Sequence, residues 1–352
     1  MGSNLLIVFA ALTFQNPQQD SAATGTHGFD FERLSDLFQY NRVQGLSFGM
    51  GYRVSLPGLT PVQLYGTARY GVSDERVTGR LTIMRGDPAR RIALSGYSDV
   101  ADLDPLSPGR TVSNTVNSLL AGHDNGDYAY ARGGSLSFET SLESGVDLKV
   151  MAAIERQTDA AAVAQSELND FLGGTGVFPL NPPVQEGTFG LTSVRITRLA
   201  ALRIRAGADL LAGGGQTTGR LYGDLRRSLG SGFGAVVRVK AGAATSPTAP
   251  QMLFRLGGLH TVRGFEYGSV RAPGFWAVQV DLTPFDARVR PVIFIDAGQA
   301  GPVSQLFTQT ALVGAGVGLS LFRGFFRFDL SRPITPDRGG KVRFDLVIQG
   351  VR

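Results

Sequence analysis

An alternation of apolar and polar residues, repeated segment after segment, constrains this chain more than any other feature. Leu46, Phe48, Met50 and Tyr52 alternate with Ser47, Gly49, Gly51 and Arg53, and Val77, Leu81 and Ile83 with Thr78, Arg80 and Thr82. Val237 and Val239 flank Arg238, and Phe344 and Leu346 alternate with Arg343 and Asp345. A period of two puts successive side chains on opposite faces of a β-strand, so each segment has one oily and one polar face. The runs last about nine to twelve residues, longer than soluble strands, and at a tilt near 45° that length crosses a bilayer. No apolar run is long enough for a transmembrane helix, so any membrane span has to be made of strands.

Composition agrees. Charged residues are 18% and glycines number 47 of 352, which is charge-poor and glycine-rich for a globular chain. With no cysteine there is neither a disulfide framework nor a thiolate metal site, and no cofactor or metal is expected. The net charge of +5 is spread singly along the alternating segments, which argues against nucleic acid as a partner. Longer connections near 99–126, 158–186 and 242–274 alternate with tight turns such as 141–145, the habit of a membrane barrel.

The expectation is therefore an all-β, transmembrane antiparallel β-barrel of about 16 strands over residues 44–352, preceded by a lead-in over residues 1–43. Within the lead-in, Leu5 to Leu12 reads as a signal core without the usual preceding Lys or Arg, as a first strand, or as the interior of a longer chain. Phe31, Leu34, Leu37 and Phe38 have helical spacing, and a second short helix is expected from Ser113 to Leu120. Counting gives about ten strands before the third long connection and about five after it, although single-chain barrels have even numbers. The missing strand is expected at 4–14 or near 171–180. A last strand, Lys341 to Gln349, is expected to pair with the first and remove both sheet edges.

Three motifs then stand in one order: Phe254-Arg255-Leu256-Gly257-Gly258, Thr261-Val262-Arg263-Gly264-Phe265, and Phe294-Ile295-Asp296-Ala297-Gly298. Gly257, Gly258 and Gly264 permit a tight tip that can lie close to other backbone, with Val262 and Phe265 flanking a single cation, Arg263. Asp296 ends an apolar run, where a carboxylate is costly to bury unless paired. A guanidinium holding a carboxylate through two parallel hydrogen bonds would neutralise it and fix its orientation.

This ordered set resembles the C-terminal half of the outer-membrane assembly and translocation superfamily. That superfamily includes the β-barrel assembly factor, the two-partner secretion transporters and the bacterial surface antigen proteins. Gly314-Ala315-Gly316-Val317-Gly318 and Arg327-Phe328-Asp329-Leu330 are similar to the family's closing strands. The resemblance covers roughly residues 250–350 and implies a long extracellular loop folded back into the barrel. Arg263 would be its tip, Asp296 its luminal partner, and Gly257, Gly258 and Gly298 the motif glycines. It further implies a bacterial outer-membrane protein in contact with lipid, without enzymatic activity, that inserts or secretes client polypeptides together with periplasmic accessory proteins. The family's usual periplasmic domains have too few residues to fit before the first strand. The alternative is a passive pore or structural barrel.

Other motifs are weaker. Gly45-Leu46-Ser47-Phe48-Gly49 has the spacing of a hydrolase nucleophile turn, as in an outer-membrane serine lipase, but its surroundings continue as a strand. His123, Asp124 and Asp127 could offer metal ligands but read as solvated loop polarity. Gly213-Gly214-Gly215 reads as a turn.

Overall fold

The computed structural model describes residues 27–29, 37–56, 62–87, 89–107, 109–285, 287–335 and 340–348. Strands β1 (His27–Phe29), β2 (Phe38–Asn41), β3 (Gly45–Leu56), β4 (Val62–Gly71), β5 (Arg76–Gly86) and β6 (Arg90–Asp102) lead to helix α1 (Val112–Ala121). Strands β7 (Tyr128–Leu142) and β8 (Val146–Asp159) precede a short helix, α2 (Glu167–Phe171). Then follow β9 (Gly187–Leu199), β10 (Leu202–Gly213), β11 (Gln216–Ser231) and β12 (Phe233–Ala244). Two three-residue strands, β13 (Phe254–Leu256) and β14 (Val270–Ala272), form a hairpin of their own. The wall resumes with β15 (Gly274–Pro284), β16 (Arg290–Gly301), β17 (Leu312–Leu321), β18 (Phe326–Pro333) and β19 (Arg343–Ile348).

Each wall strand pairs antiparallel with the next in chain order, from β3 to β12, then β12 with β15, and on to β19. β1 and β2 both pair with β3, β2 at its start and β1 at its end. The sheet has 17 strands, and since β1 and β2 share one position the wall has 16. The missing strand is thus this split one, and the sheet begins before residue 44. Residues near 171–180 lie in a connection beside α2. Residues 4–14, and Phe31 and Leu34 of the expected lead-in helix, lie outside the described residues.

The period-two pattern sorts as membrane strands require. Val77, Leu81 and Ile83 are exposed on the outer face while Thr78 and Thr82 are buried inside. Likewise Ile293 and Ile295 point outward, and Val292, Phe294 and Asp296 inward. An exposed belt of Leu, Ile and Phe over a polar lining is what lipid outside and a lumen inside dictate. Of the described helices, none is long and apolar enough to cross a membrane.

All three long connections, 103–127, 160–186 and 245–273, emerge at one end of the wall, and short turns such as 143–145 and 200–201 at the other. At the loop end they interlock. Phe254, Leu256, Val262 and Phe265 of the third connection pack against Phe275, Ala277, Ala300 and Leu312 of the wall and Leu106 of the first connection. Phe254 stacks on Phe275 with centroids 4.9 Å apart. An apolar core therefore sits inside one mouth of the barrel.

One expectation is overturned. β19 forms within Lys341–Gln349, but no residue pair joins it to β2 among the described residues. Helix α1 contacts both strands at the seam instead.

Candidate functional site

The β13–β14 hairpin places the Arg263 tip. Gly257, Gly258 and Gly264 have φ of 105°, 90° and 92°, a region that residues with a Cβ avoid. The Thr261 hydroxyl accepts from Gly257 N at 2.9 Å and pulls the tip closed. Two wall glycines let the tip lie flat. A Cβ on Gly298 would stand 2.8 Å from Leu256 Cδ1 and 3.0 Å from Val262 Cγ2, and one on Gly314 would stand 1.9 Å from the Arg263 carbonyl oxygen. Here glycine in a strand marks close backbone approach.

Arg263 and Asp296 meet as expected. Arg263 Nε donates to Asp296 Oδ2 at 2.7 Å and Nη2 to Oδ1 at 2.6 Å, and the Arg263 backbone N–H adds a third bond at 3.0 Å. The site is larger than a pair. Arg263 Nη2 also donates to Asp281 Oδ1 at 2.8 Å and Nη1 to Asp329 Oδ2 at 3.3 Å. Arg327 donates to Asp281 Oδ2 at 2.6 Å and to Asp329 Oδ1 at 2.7 Å. The guanidinium of Arg263 lies 3.7 Å over the Phe294 ring, within cation–π range. Two guanidiniums and three carboxylates thus form one network from the inner faces of β15, β16 and β18 plus the tip, with Arg263, Asp296 and Asp329 buried and Arg327 and Asp281 half-buried at its edge. Burial works against the Arg263 cation, but Asp296, Asp281 and Asp329 outweigh it and hold the group above its ordinary pKa.

Asp281, Asp329, Arg327 and Phe294 were not assigned to the site from sequence. Arg327 and Asp329 carried a signal, since they stand in a closing-strand motif with the polar face of that strand. Asp281 carried only its inward parity.

A second knot joins the first and third connections. Asp127 accepts from Arg255 Nε at 3.0 Å and from Arg271 Nε at 3.0 Å and Nη2 at 3.1 Å. Asp124 accepts from Arg42 N at 2.7 Å, Asn114 Nδ2 at 2.7 Å and the Tyr128 hydroxyl at 2.9 Å. The solvated reading of these carboxylates is corrected: both are buried and paired. Burial alone would raise the Asp127 pKa, yet Arg255 and Arg271 hold it below the usual carboxylate range. His123 turns toward β19, with Nδ1 3.5 Å from Asp345 Oδ1. Ser47 lies on the regular strand β3, where Arg69 Nη1 donates to its hydroxyl at 3.1 Å, away from any strand-to-helix turn. Gly214 and Gly215, at φ of 59° and 80°, make the β10–β11 turn.

The seam is built differently. α1 starts at Thr111, whose hydroxyl accepts from Asn114 N, and stops at left-handed Gly122. Asn117 Nδ2 donates to Leu346 O at 2.9 Å while its Oδ1 accepts from Leu346 N at 2.7 Å. One turn earlier, the Ser113 hydroxyl donates to Ile348 O at 3.1 Å and accepts from Ile348 N at 2.8 Å. Four helical residues rise about 6 Å and two strand residues about 6.6 Å, so an i, i+4 face can satisfy alternate residues of a sheet edge. On the other side Thr115 Oγ1 accepts from Tyr40 N of β2 at 3.2 Å. This explains a helix whose buried residues, Ser113, Asn114, Thr115, Asn117 and Ser118, are all polar.

A model for the C-terminal domain of a family of unknown function (DUF5686) matches residues 13–171, which end before the arginine loop. No curated protein matches the sequence. Among solved structures, BamA from Haemophilus ducreyi lacking POTRA domains 1–3 matches with a TM-score of 0.59 at 12% identity, over 92% of this chain and 70% of that one. CdiB from Acinetobacter baumannii gives 0.45 at 15% identity, and CdiB from Escherichia coli 0.44 at 12%. Both CdiB matches cover 88% of this chain, which spans only 58% and 60% of theirs. In fold, therefore, the chain is a barrel of the BamA type, the architecture that its loop and wall motifs resemble.

Proposed function

We propose that this chain is a bacterial outer-membrane barrel that inserts or secretes client polypeptides, and that the seam between β2 and β19 is the part of the wall that opens. The observation that carries this reading is the way α1 holds the seam. A continuous ladder would need many backbone bonds broken at once, whereas here the side chains of Ser113, Thr115 and Asn117 stand in for a neighbouring strand. A client strand offers the same donors and acceptors, so the exchange is near balance in hydrogen bonds. Periplasmic accessory proteins would deliver the client. The reading includes no enzymatic role and no cofactor.

The competing reading is a passive pore. Against it stand the apolar core and the Arg263 network, which pack side chains of the third connection into the loop-end mouth. To test the seam, Ser113→Cys and Ile348→Cys, in a chain without other cysteines, are joined by a short cleavable thiol cross-linker. Insertion of an unfolded barrel client into liposomes should stop on cross-linking and return on cleavage. Undiminished insertion by the cross-linked protein refutes the seam, and steady conductance without any client insertion favours the pore.

A further inference from the structure

The outward face of β6 to β9 carries a row of hydrogen-bond donors near the loop end. Ser98 pairs in register with Arg132, Arg132 with Arg156, and Arg156 with Thr188. Their parity matches Leu136 and Ile154, both well exposed, and opposes Ser135 and Glu155, both buried in the lumen. The row is therefore on the lipid side. Arg132 and Arg156 are exposed, and neither makes a hydrogen bond or ion pair among the described residues. A lone arginine at a membrane interface can snorkel to water, but two directly opposite on neighbouring strands repel each other, a pairing that a sheet disfavours. An anion between them would turn that repulsion into two charge-assisted contacts.

Beside the row lies a depression of about 640 Å³ bordered by Met50, Tyr52, Leu81 and Arg132 and floored by Gly66 and Gly96. Nothing in the fold demands these two glycines. Neither has positive φ, a Cβ on Gly96 would meet nothing within 4 Å, and one on Gly66 would meet only Leu81 Cδ1 at 3.8 Å. Strands favour β-branched and aromatic residues at such positions, so this gap in the oily face calls for an occupant.

We propose that Arg132 and Arg156, with the Ser98 and Thr188 hydroxyls, bind the phosphate of a membrane lipid, one acyl chain lying in the depression over Gly66 and Gly96. The inference rests on the reading of this wall as membrane-embedded. Its chemistry is consistent in both parts. Guanidiniums match phosphate oxygens two by two, and at the interface their outward placement carries little penalty. The apolar trough accepts hydrocarbon that would otherwise leave backbone facing a void.

The test uses the detergent-solubilised protein and native mass spectrometry with phosphatidic acid, diacylglycerol of the same chains, and inorganic phosphate as competitor. The wild type should retain phosphatidic acid about tenfold better than diacylglycerol, and Arg132→Gln with Arg156→Gln should abolish that preference. Gly96→Ile should fold normally and lose retention through a filled trough, while Arg332→Gln, outward on β18, should bind like wild type. Equal retention of both lipids by the wild type, or unchanged selectivity in the double variant, overturns the proposal. Displacement by inorganic phosphate alone also overturns it, leaving an adventitious ion only. Lipid-soluble quenchers at spin-labelled Leu136 and Ile154 separate this failure from failure of the membrane reading, which would show as water at both positions.

Discussion

Two regions anchor the loops of this barrel to its wall, and they do so by opposite means. At the Arg263 tip the contacts are charged, buried and redundant, with one guanidinium shared among three carboxylates. At the α1 seam they are neutral, and each side chain does the work of one missing strand residue. Removing one partner from the first leaves an uncompensated charge away from water, while removing one from the second leaves a backbone group that water or another strand can satisfy. The tip is suited to stay fixed and the seam to exchange.

The sharpest way to break this comparison is Arg263→Ala. It strands three inward carboxylates, with Arg327 left for two of them, and should cost about 3–5 kcal/mol of loop docking. Protease cleavage between Gly257 and Gly268 reports it. Asp296→Ala should cost less, because Arg263 keeps Asp281 and Asp329. Equal effects of the two substitutions would reduce the network to a simple pair.

Acid sharpens the picture at the second knot. The Asp127 carboxyl is held below its ordinary range in the folded protein, so its contribution is present above the unfolded value of about 4 and is lost as pH falls through the lower folded value. Protonation of Asp127 should therefore weaken loop protection against hydrogen exchange only below about pH 4. A separate decline should precede it below about pH 6.5, because burial holds His260 of the third connection well below its ordinary value and the unfolded chain binds that proton more readily. Asp127→Asn should remove the lower step alone, and persistence of that step would assign it to another group.

The smallest effect is expected at the seam. Asn117→Ala and Ser113→Ala should each cost about 1 kcal/mol and speed exchange of the Leu346 and Ile348 amides, without loosening the Arg263 tip. Loosening of both regions together would mean that tip and seam form one cooperative unit.

The strand pattern and the tip are legible in the sequence because each is written locally. Alternation along β5 or β16 reports its faces directly, and Arg263 and Asp296 sit in compact motifs. Asp281 and Asp329 were not legible as members of the site: parity shows that they point inward, but only the register between strands sets their height against Arg263. Helix α1 was visible as Ser113 to Leu120, yet its role was hidden. A polar helical face ordinarily reads as solvated, and here it meets unpaired backbone. The strand formed by β1 and β2 escaped for a simpler reason, since pieces of three and four residues are too short to show a period. Asp124 and Asp127 read as solvated because carboxylates in a polar, glycine-containing loop usually face water.

The split in that first strand has a mechanical consequence. Phe29 and Phe38 stand nine positions apart, but their partners on β3, Tyr52 and Phe48, stand only four apart, so the register slips between the two pieces. β2 is held to β3 by four residue pairs, whereas β19 is held to β18 by six. If the seam is pulled apart, peeling should start on the short β2 flank while β19 keeps its neighbour. The wall would then open from one side like a hinged shutter, and β19 would be the straight edge against which an arriving strand could zip.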